Sequence, residues 1–151
     1  MSSSFIFFLC YNKSIMKHIF EQKVYYGDTD AYGVAWHGSY IHWLEKGRTD
    51  FLEDIGFSAK TLMEHDIATP LANLNIKYKL FAMLDDDLII ETKVAKITPL
   101  CITFEQIIKK KESDKVCVVA TIDVVTVNKE GKLYRRIPQQ FFEALKNTIE
   151  N

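Results

Sequence analysis

Residues 26–40 read Tyr26-Gly27-Asp28-Thr29-Asp30-Ala31-Tyr32-Gly33-Val34-Ala35-Trp36-His37-Gly38-Ser39-Tyr40, a loop set between two segments of different periodicity. Gly27 and Gly33 tolerate positive φ, and Asp28 and Asp30 accept nearby backbone N–H groups, so the segment carries turn chemistry. Upstream, Ile19 to Tyr26 is rich in β-formers and reads as a strand. Downstream, Tyr40, Leu44, Gly47, Phe51 and Ile55 recur at helical spacing with Trp43 beside them, while Glu45, Arg48, Asp50 and Glu53 fill other faces. Gly56 stands where a C-terminal helix cap is wanted.

Beyond the helix the chain is mostly extended. Ala72, Leu74, Ile76, Tyr78 and Leu80 alternate with Asn73, Asn75, Lys77 and Lys79, the pattern of a half-buried strand. Asp85-Asp86-Asp87 marks a turn and lacks the spacing of a calcium loop. Leu88 to Ile97, Cys101 to Ile108 and Val116 to Val127 predict three further strands, Asn128 to Lys132 a hairpin-like turn, and the segment after Pro138 a short amphipathic helix. The order is strand, long helix, then consecutive strands. It predicts an α+β architecture with a helix laid on an antiparallel sheet.

Composition narrows the function classes. A formal charge of -1, with both signs scattered, offers no footprint for a nucleic acid and no polybasic patch for a membrane surface, which leaves a small-molecule substrate as the expectation. Cys10, Cys101 and Cys117 are odd in number and lack CxxC spacing, so they suggest neither a disulfide framework nor a zinc site, and a reduced, cytoplasmic setting is expected. The apolar run from Phe5 to Cys10 is too short to span a membrane, which takes about 20 residues, and no basic residue precedes it. We read residues 1–15 as a non-functional or disordered extension, with Met16 as the natural start of a single domain over 16–151.

The loop of residues 26–40 is also where chemistry concentrates. A helix start presents unpaired backbone N–H groups and the positive end of the helix dipole, donors suited to polarising a carbonyl oxygen. A carboxylate on the far side of that carbonyl is set either to attack it or to deprotonate a water that does. Thioester hydrolysis needs this combination. By residue chemistry alone Asp28 and Asp30 are equivalent candidates.

The run Asp28-Thr29-Asp30-Ala31-Tyr32-Gly33-Val34-Ala35-Trp36-His37-Gly38-Ser39-Tyr40 resembles the signature of the 4-hydroxybenzoyl-CoA thioesterase family, and is most similar to its Tol-Pal-associated short-chain acyl-CoA thioesterase branch. The likeness continues through Glu45-Lys46-Gly47-Arg48-Thr49 and, more weakly, to Arg135-Arg136-Ile137-Pro138. It implies a hot-dog fold, in which an antiparallel sheet wraps a central long helix. It selects Asp30 over Asp28 as the essential carboxylate, maps the oxyanion amides onto His37 and Gly38 at the helix start, and gives the His37 side chain a contributing role. It implies an acyl-CoA substrate, with acyl-carrier protein as another carrier to consider. No cofactor is implied, because CoA is part of the substrate. The active sites are expected between subunits of a homodimer or homotetramer.

Further residues enter the expected site as substrate contacts. Tyr32 and Trp36 bear on the size of the acyl pocket, Ser39 on a helix-cap or substrate contact, and Arg135 on CoA phosphate. Lys77, Lys79 and Arg136 are weaker phosphate candidates. His37 and His42 are five residues apart, which rotates the second about 140° from the first on a helix, so no metal pair is proposed. Glu45 lies eight residues past His37, about 12 Å along a helix, and is expected to pair with Arg48. A hydratase or dehydratase built on His37 and Asp30, and a non-catalytic acyl-CoA binder, are the rival functions.

Overall fold

The core strands owe their burial to an alternation of side chains, in which mostly β-branched and aromatic residues point to one face. In the computed structural model, which describes residues 16–150, β3 (Asp87–Ile97), β4 (Ile102–Lys110) and β5 (Val116–Val124) bury Ile90, Val94, Phe104, Ile108, Val118 and Ile122 almost completely. The expected N-terminal extension and Cys10 lie outside the described residues. With β1 (His18–Lys23) and β2 (Leu71–Tyr78) these strands form one antiparallel sheet of five, in the order β1-β3-β4-β5-β2. The register runs from Leu88 opposite Lys110 to Ile97 opposite Ile102 in the β3–β4 pair, with an irregularity between Val94 and Lys96.

Helix α1 (His37–Asp54) packs over β1, β3 and β4 and buries Tyr40, Trp43, Leu44, Gly47, Phe51 and Leu52 against them. This is the long helix wrapped by an antiparallel sheet that the sequence predicts. Gly56 follows with φ of 92°, a left-handed conformation that costs glycine least and turns the chain away from the helix. At the far end of α1, His18 on β1 faces two carboxylates, with Nε2 2.6 Å from Asp50 and Nδ1 3.2 Å from Asp54.

Gly47 sits where helix and sheet come closest. A Cβ at this position would lie 2.7 Å from Ile90 Cγ2, 3.1 Å from Thr92 Oγ1 and 3.2 Å from Gln106 Nε2. The polar groups at this crossing are matched. The fully buried Gln106 donates from Nε2 to the Leu44 carbonyl (2.9 Å) and to Thr92 Oγ1 (2.8 Å), and its Oε1 accepts from Arg48 Nη1 (2.9 Å). Burial lowers the Arg48 pKa from its ordinary value, and the charge of Glu45 opposes that shift. The expected Glu45–Arg48 ion pair is not formed: no contact within 4 Å joins the two, because the guanidinium is drawn inward to Gln106 while Glu45 stays exposed.

Three other departures have physical causes. Strand β1 stops at Lys23 because Tyr26–Asp28 form a 3₁₀ turn, whose first residue is preceded by the Tyr25 N–H bonded to the Asp28 carboxylate at 2.9 Å. Strand β2 is half-buried only at Leu74 and Ile76, with Ala72 and Tyr78 exposed, since it is an edge strand of the sheet and α1 packs mainly over β1, β3 and β4. A short helix α2 (Ala59–Glu64) follows an N-cap in which Ser58 accepts the Thr61 N–H, and its six residues are too few to reveal a period. Helix α3 (Gln139–Glu150) closes the domain with Phe141 and Leu145 buried, as the amphipathic pattern after Pro138 predicts.

Candidate active site

The loop ahead of α1 is folded as a miniature hairpin. Trp36 N–H donates to the Asp28 carbonyl (2.8 Å), Asp30 N–H donates to the Val34 carbonyl (2.9 Å), and Thr29 bridges Ala35 in antiparallel sense. Gly33, with φ of 72°, makes the turn between the two arms. The spacing that separates Asp30 from His37 in sequence is thereby closed in space, and both residues line one cavity of about 540 Å³. Its other walls include Trp36, Tyr40, Tyr78 and Phe81.

The two aspartates have different surroundings, which supplies a reason to separate them that residue chemistry lacks. Asp28 is turned to structural use: its carboxylate accepts the Tyr25 N–H, and its carbonyl accepts both Trp36 N–H and the Ser39 hydroxyl. Asp30 is exposed, and only its Oδ1 is engaged, by the Tyr32 N–H at 2.8 Å in an Asx turn. Its other oxygen accepts no hydrogen bond among the described residues, and Asp30, unlike Asp28, lines the cavity.

At the start of α1 the amides of His37 and Gly38 find no acceptor among the described residues, as the geometry of a helix N-terminus requires. Trp36, the N-cap, offers no side-chain cap that would compete for them. Its indole instead tilts against the His37 ring, with centroids 4.7 Å apart, and covers the α-carbon of Gly38 so closely that a Cβ there would fall within 2.0 Å of it. The only side chain that fits beneath the indole in this arrangement is hydrogen.

The remaining expected residues separate into those brought to the cavity and those kept away. Trp36 and Lys79 line it; Tyr32 is 89% exposed and meets Asp30 through its backbone. Ser39 is buried with its hydroxyl committed to the loop, and it is absent from the cavity walls. Arg135, Arg136 and Lys77 are exposed and do not line it. His42 and Glu45 border another groove on α1, with Phe20 and Asp50.

Sequence reasoning places Trp36 at the pocket but passes over its other aromatic walls. Tyr78 reads there only as the inward member of an alternating strand, yet its hydroxyl donates to the His37 carbonyl at 3.0 Å. Tyr40 reads as a core residue and also packs edge-on to Tyr78, with centroids 5.5 Å apart, while its hydroxyl accepts the Ala82 N–H. Burial raises the pKa of both phenols, so they stay protonated. Nothing in a linear reading joins Tyr78 to His37, because sheet pairing brings them together.

A sequence model of the thioesterase-like superfamily matches residues 24–145. The acyl-CoA thioesterase YbgC of Haemophilus influenzae is 42% identical over 88 residues, which cover 58% of this chain and 65% of the relative, so the chain spans just under two thirds of that relative's length. The acyl-CoA thioester hydrolase YbgC of Escherichia coli is 36% identical over 91 residues, covering 60% of this chain and 68% of the relative. Among solved structures, a 1,4-dihydroxy-2-naphthoyl-CoA thioesterase from Synechocystis superposes with a TM-score of 0.79 at 21% identity, covering 87% of this chain and 97% of its own, and shares the fold.

Proposed function

Because this chain belongs to the thioesterase-like superfamily, we propose that it hydrolyses an acyl-CoA thioester to the free acid and CoA, using the Asp30 carboxylate opposite the amides of His37 and Gly38. One observation carries the proposal: Asp30, with one carboxylate oxygen free, and His37, whose helix-start amide is unpartnered, line a single cavity with aromatic walls, and the equally unpartnered Gly38 amide follows in the same helix turn. The relatives named acyl-CoA thioesterases support the substrate class, and a short-chain or aromatic acyl group is the range proposed within it.

The thioester carbonyl oxygen accepts the His37 and Gly38 N–H groups, which strengthen as negative charge develops on it. As nucleophile, Asp30 attacks the carbonyl carbon, the tetrahedral oxyanion collapses, CoA leaves as thiolate, and water hydrolyses the resulting mixed anhydride to regenerate the carboxylate. As general base, Asp30 instead takes a proton from water as the water attacks, and the same collapse expels the thiolate. Retention of labelled enzyme oxygen in the product acid after a single turnover distinguishes the two. The His37 ring, tilted against Trp36 at the cavity wall, orients the acyl group or relays a proton.

The assembly we propose is a homodimer or homotetramer acting in the cytoplasm, with a second subunit completing the site. Strand β2 supports it: among the described residues the strand pairs only with β5, leaving its other edge without a partner strand beside the cavity wall formed by Tyr78. Among the described residues no helix is long and apolar enough to cross a membrane. Arg135, exposed and outside this chain's cavity, is a contact for the CoA phosphates or for an acyl-carrier protein only in such an assembly.

Release of free thiol from a panel of short-chain and aromatic acyl-CoA esters tests the reading. Wild type is expected to turn over, and Asp30→Asn to lose the activity by several orders of magnitude. An unimpaired Asp30→Asn overturns the role of Asp30. Saturable binding without thiol release across the panel would favour the non-catalytic alternative, and consumption of enoyl-CoA without thiol release the hydratase.

A further inference from the structure

The phenolic hydroxyl of Tyr78, the last residue of β2, donates to the carbonyl oxygen of His37 at 3.0 Å. That carbonyl belongs to the peptide unit whose other end is the Gly38 N–H, one of the two unpartnered amides at the start of α1. A hydrogen bond accepted by a peptide oxygen draws density from the nitrogen through amide resonance and makes the N–H on the same unit a stronger donor. The phenol is held in place for this. Its ring packs edge-on to Tyr40 at 5.5 Å, and the Tyr40 hydroxyl is fixed by the Ala82 N–H at 2.9 Å.

We propose that Tyr78 is a positioning residue that primes the oxyanion donor: its hydroxyl, the His37–Gly38 peptide and the charge developing on the substrate form one hydrogen-bonded relay. The proposal rests on the assignment of the Gly38 amide in the preceding subsection. It involves no bond made or broken by Tyr78; the phenol stays protonated and acts through the peptide. A burial-raised phenol suits this role, since it keeps its proton across the neutral range.

The size of the effect follows from two magnitudes. Losing a whole oxyanion donor slows an acyl transfer about 10²- to 10³-fold, and each added bond in a chain strengthens its neighbour by about 10–30%. Applied to the logarithm of that rate factor, the relay contributes roughly a two- to eight-fold acceleration.

Tyr78→Phe keeps the ring against Tyr40 and removes only the hydroxyl. The single-turnover rate of thiol release is expected to fall by roughly two- to eight-fold, with KM nearly unchanged. A trifluoromethyl-ketone analogue of acyl-CoA, which carries an oxyanion when bound, should lose affinity by the same factor, while a non-hydrolysable thioether analogue should not. Replacing Tyr78 by a series of fluorinated tyrosines, assayed where each phenol is still protonated, should raise the rate as the phenol becomes more acidic. This series keeps the wild-type bond in place and therefore tests the relay even if Tyr78→Phe folds poorly. A rate independent of phenol acidity, or a Tyr78→Phe effect confined to KM or to thermal stability, overturns the relay and leaves the hydroxyl a structural tie between β2 and α1. Asp30→Asn separates the two levels. Full activity in that variant overturns the catalytic reading itself, whereas loss of activity there with an unchanged Tyr78→Phe overturns only the relay.

Discussion

The Ser39 hydroxyl donates to the Asp28 carbonyl oxygen across 2.8 Å, tying the first turn of α1 to the loop that carries Asp30. The same carbonyl accepts the Trp36 N–H, so one acceptor holds both the N-cap and the third residue of the helix. This bond explains why Ser39 stands beside the site without lining it. Ser39→Ala is expected to cost about 1 kcal/mol in chemical denaturation and to slow thiol release by loosening the loop. Asp28→Asn, which keeps an oxygen for the Tyr25 N–H, should retain most of the activity that Asp30→Asn loses.

Gly47→Ala sets helix propensity against packing. Alanine favours a helix interior over glycine by about 1 kcal/mol, but the added Cβ would approach Ile90 Cγ2 to 2.7 Å in a fully buried layer, and overpacking costs about 1–3 kcal/mol. Packing wins here, because Ile90 and Gln106 are both enclosed and have nowhere to retreat. The variant should be destabilised by about 1 kcal/mol and melt a few degrees lower in calorimetry.

Gln106→Leu tests the polar crossing beneath α1. It leaves the Leu44 carbonyl and Thr92 hydroxyl without this donor, and the Arg48 guanidinium without this acceptor. A loss of about 2–4 kcal/mol is expected in urea unfolding, larger than a neutral change of volume would give. Equal stability of Gln106→Leu and wild type would mean that the network adds nothing to the fold.

Acid should weaken the sheet through Glu91. Burial by itself would raise this carboxyl, but the hydrogen bonds from Lys109 and Lys17 outweigh it and hold the pKa below the ordinary value. A lowered carboxylate contributes stability that is present above the ordinary carboxylate range and is lost as pH falls through the lowered value. Lys109 is coupled in the opposite sense: the hydrogen bonds it donates to Asp114 and Glu91 raise it to about 12, so its contribution is lost only as pH rises through that region. Glu91→Gln should therefore flatten the acid limb of the stability profile measured by thermal melts from neutral pH downward. An unchanged acid limb would remove Glu91 from the account.

Much of the architecture is readable from periodicity. The strand expected over residues 88–97, the helical recurrence from Tyr40 to Ile55 and the turn chemistry of residues 27–33 each correspond to an observed element. Less legible were the features that depend on what lies alongside. The outer position of β2 exposes Ala72 and Tyr78 despite their alternation, and the pull of Gln106 on Arg48 replaces the expected pair with Glu45. Helix α2 escaped because six residues contain less than two turns.

By itself the sequence determined that a carboxylate-bearing loop runs into the N-terminus of a long helix laid on an antiparallel sheet, since turn propensity and periodicity are local properties of the chain. Resemblance then chose Asp30. Only the tertiary structure decided what makes Asp30 different from Asp28: each carboxylate accepts one backbone N–H and leaves one oxygen without a partner among the described residues, but Asp30 lines the cavity, whereas Asp28 lies off it, where its backbone carbonyl accepts the Trp36 N–H and the Ser39 hydroxyl. The same holds for Tyr78, which meets the His37 carbonyl from 41 residues away because β2 ends beside the start of α1.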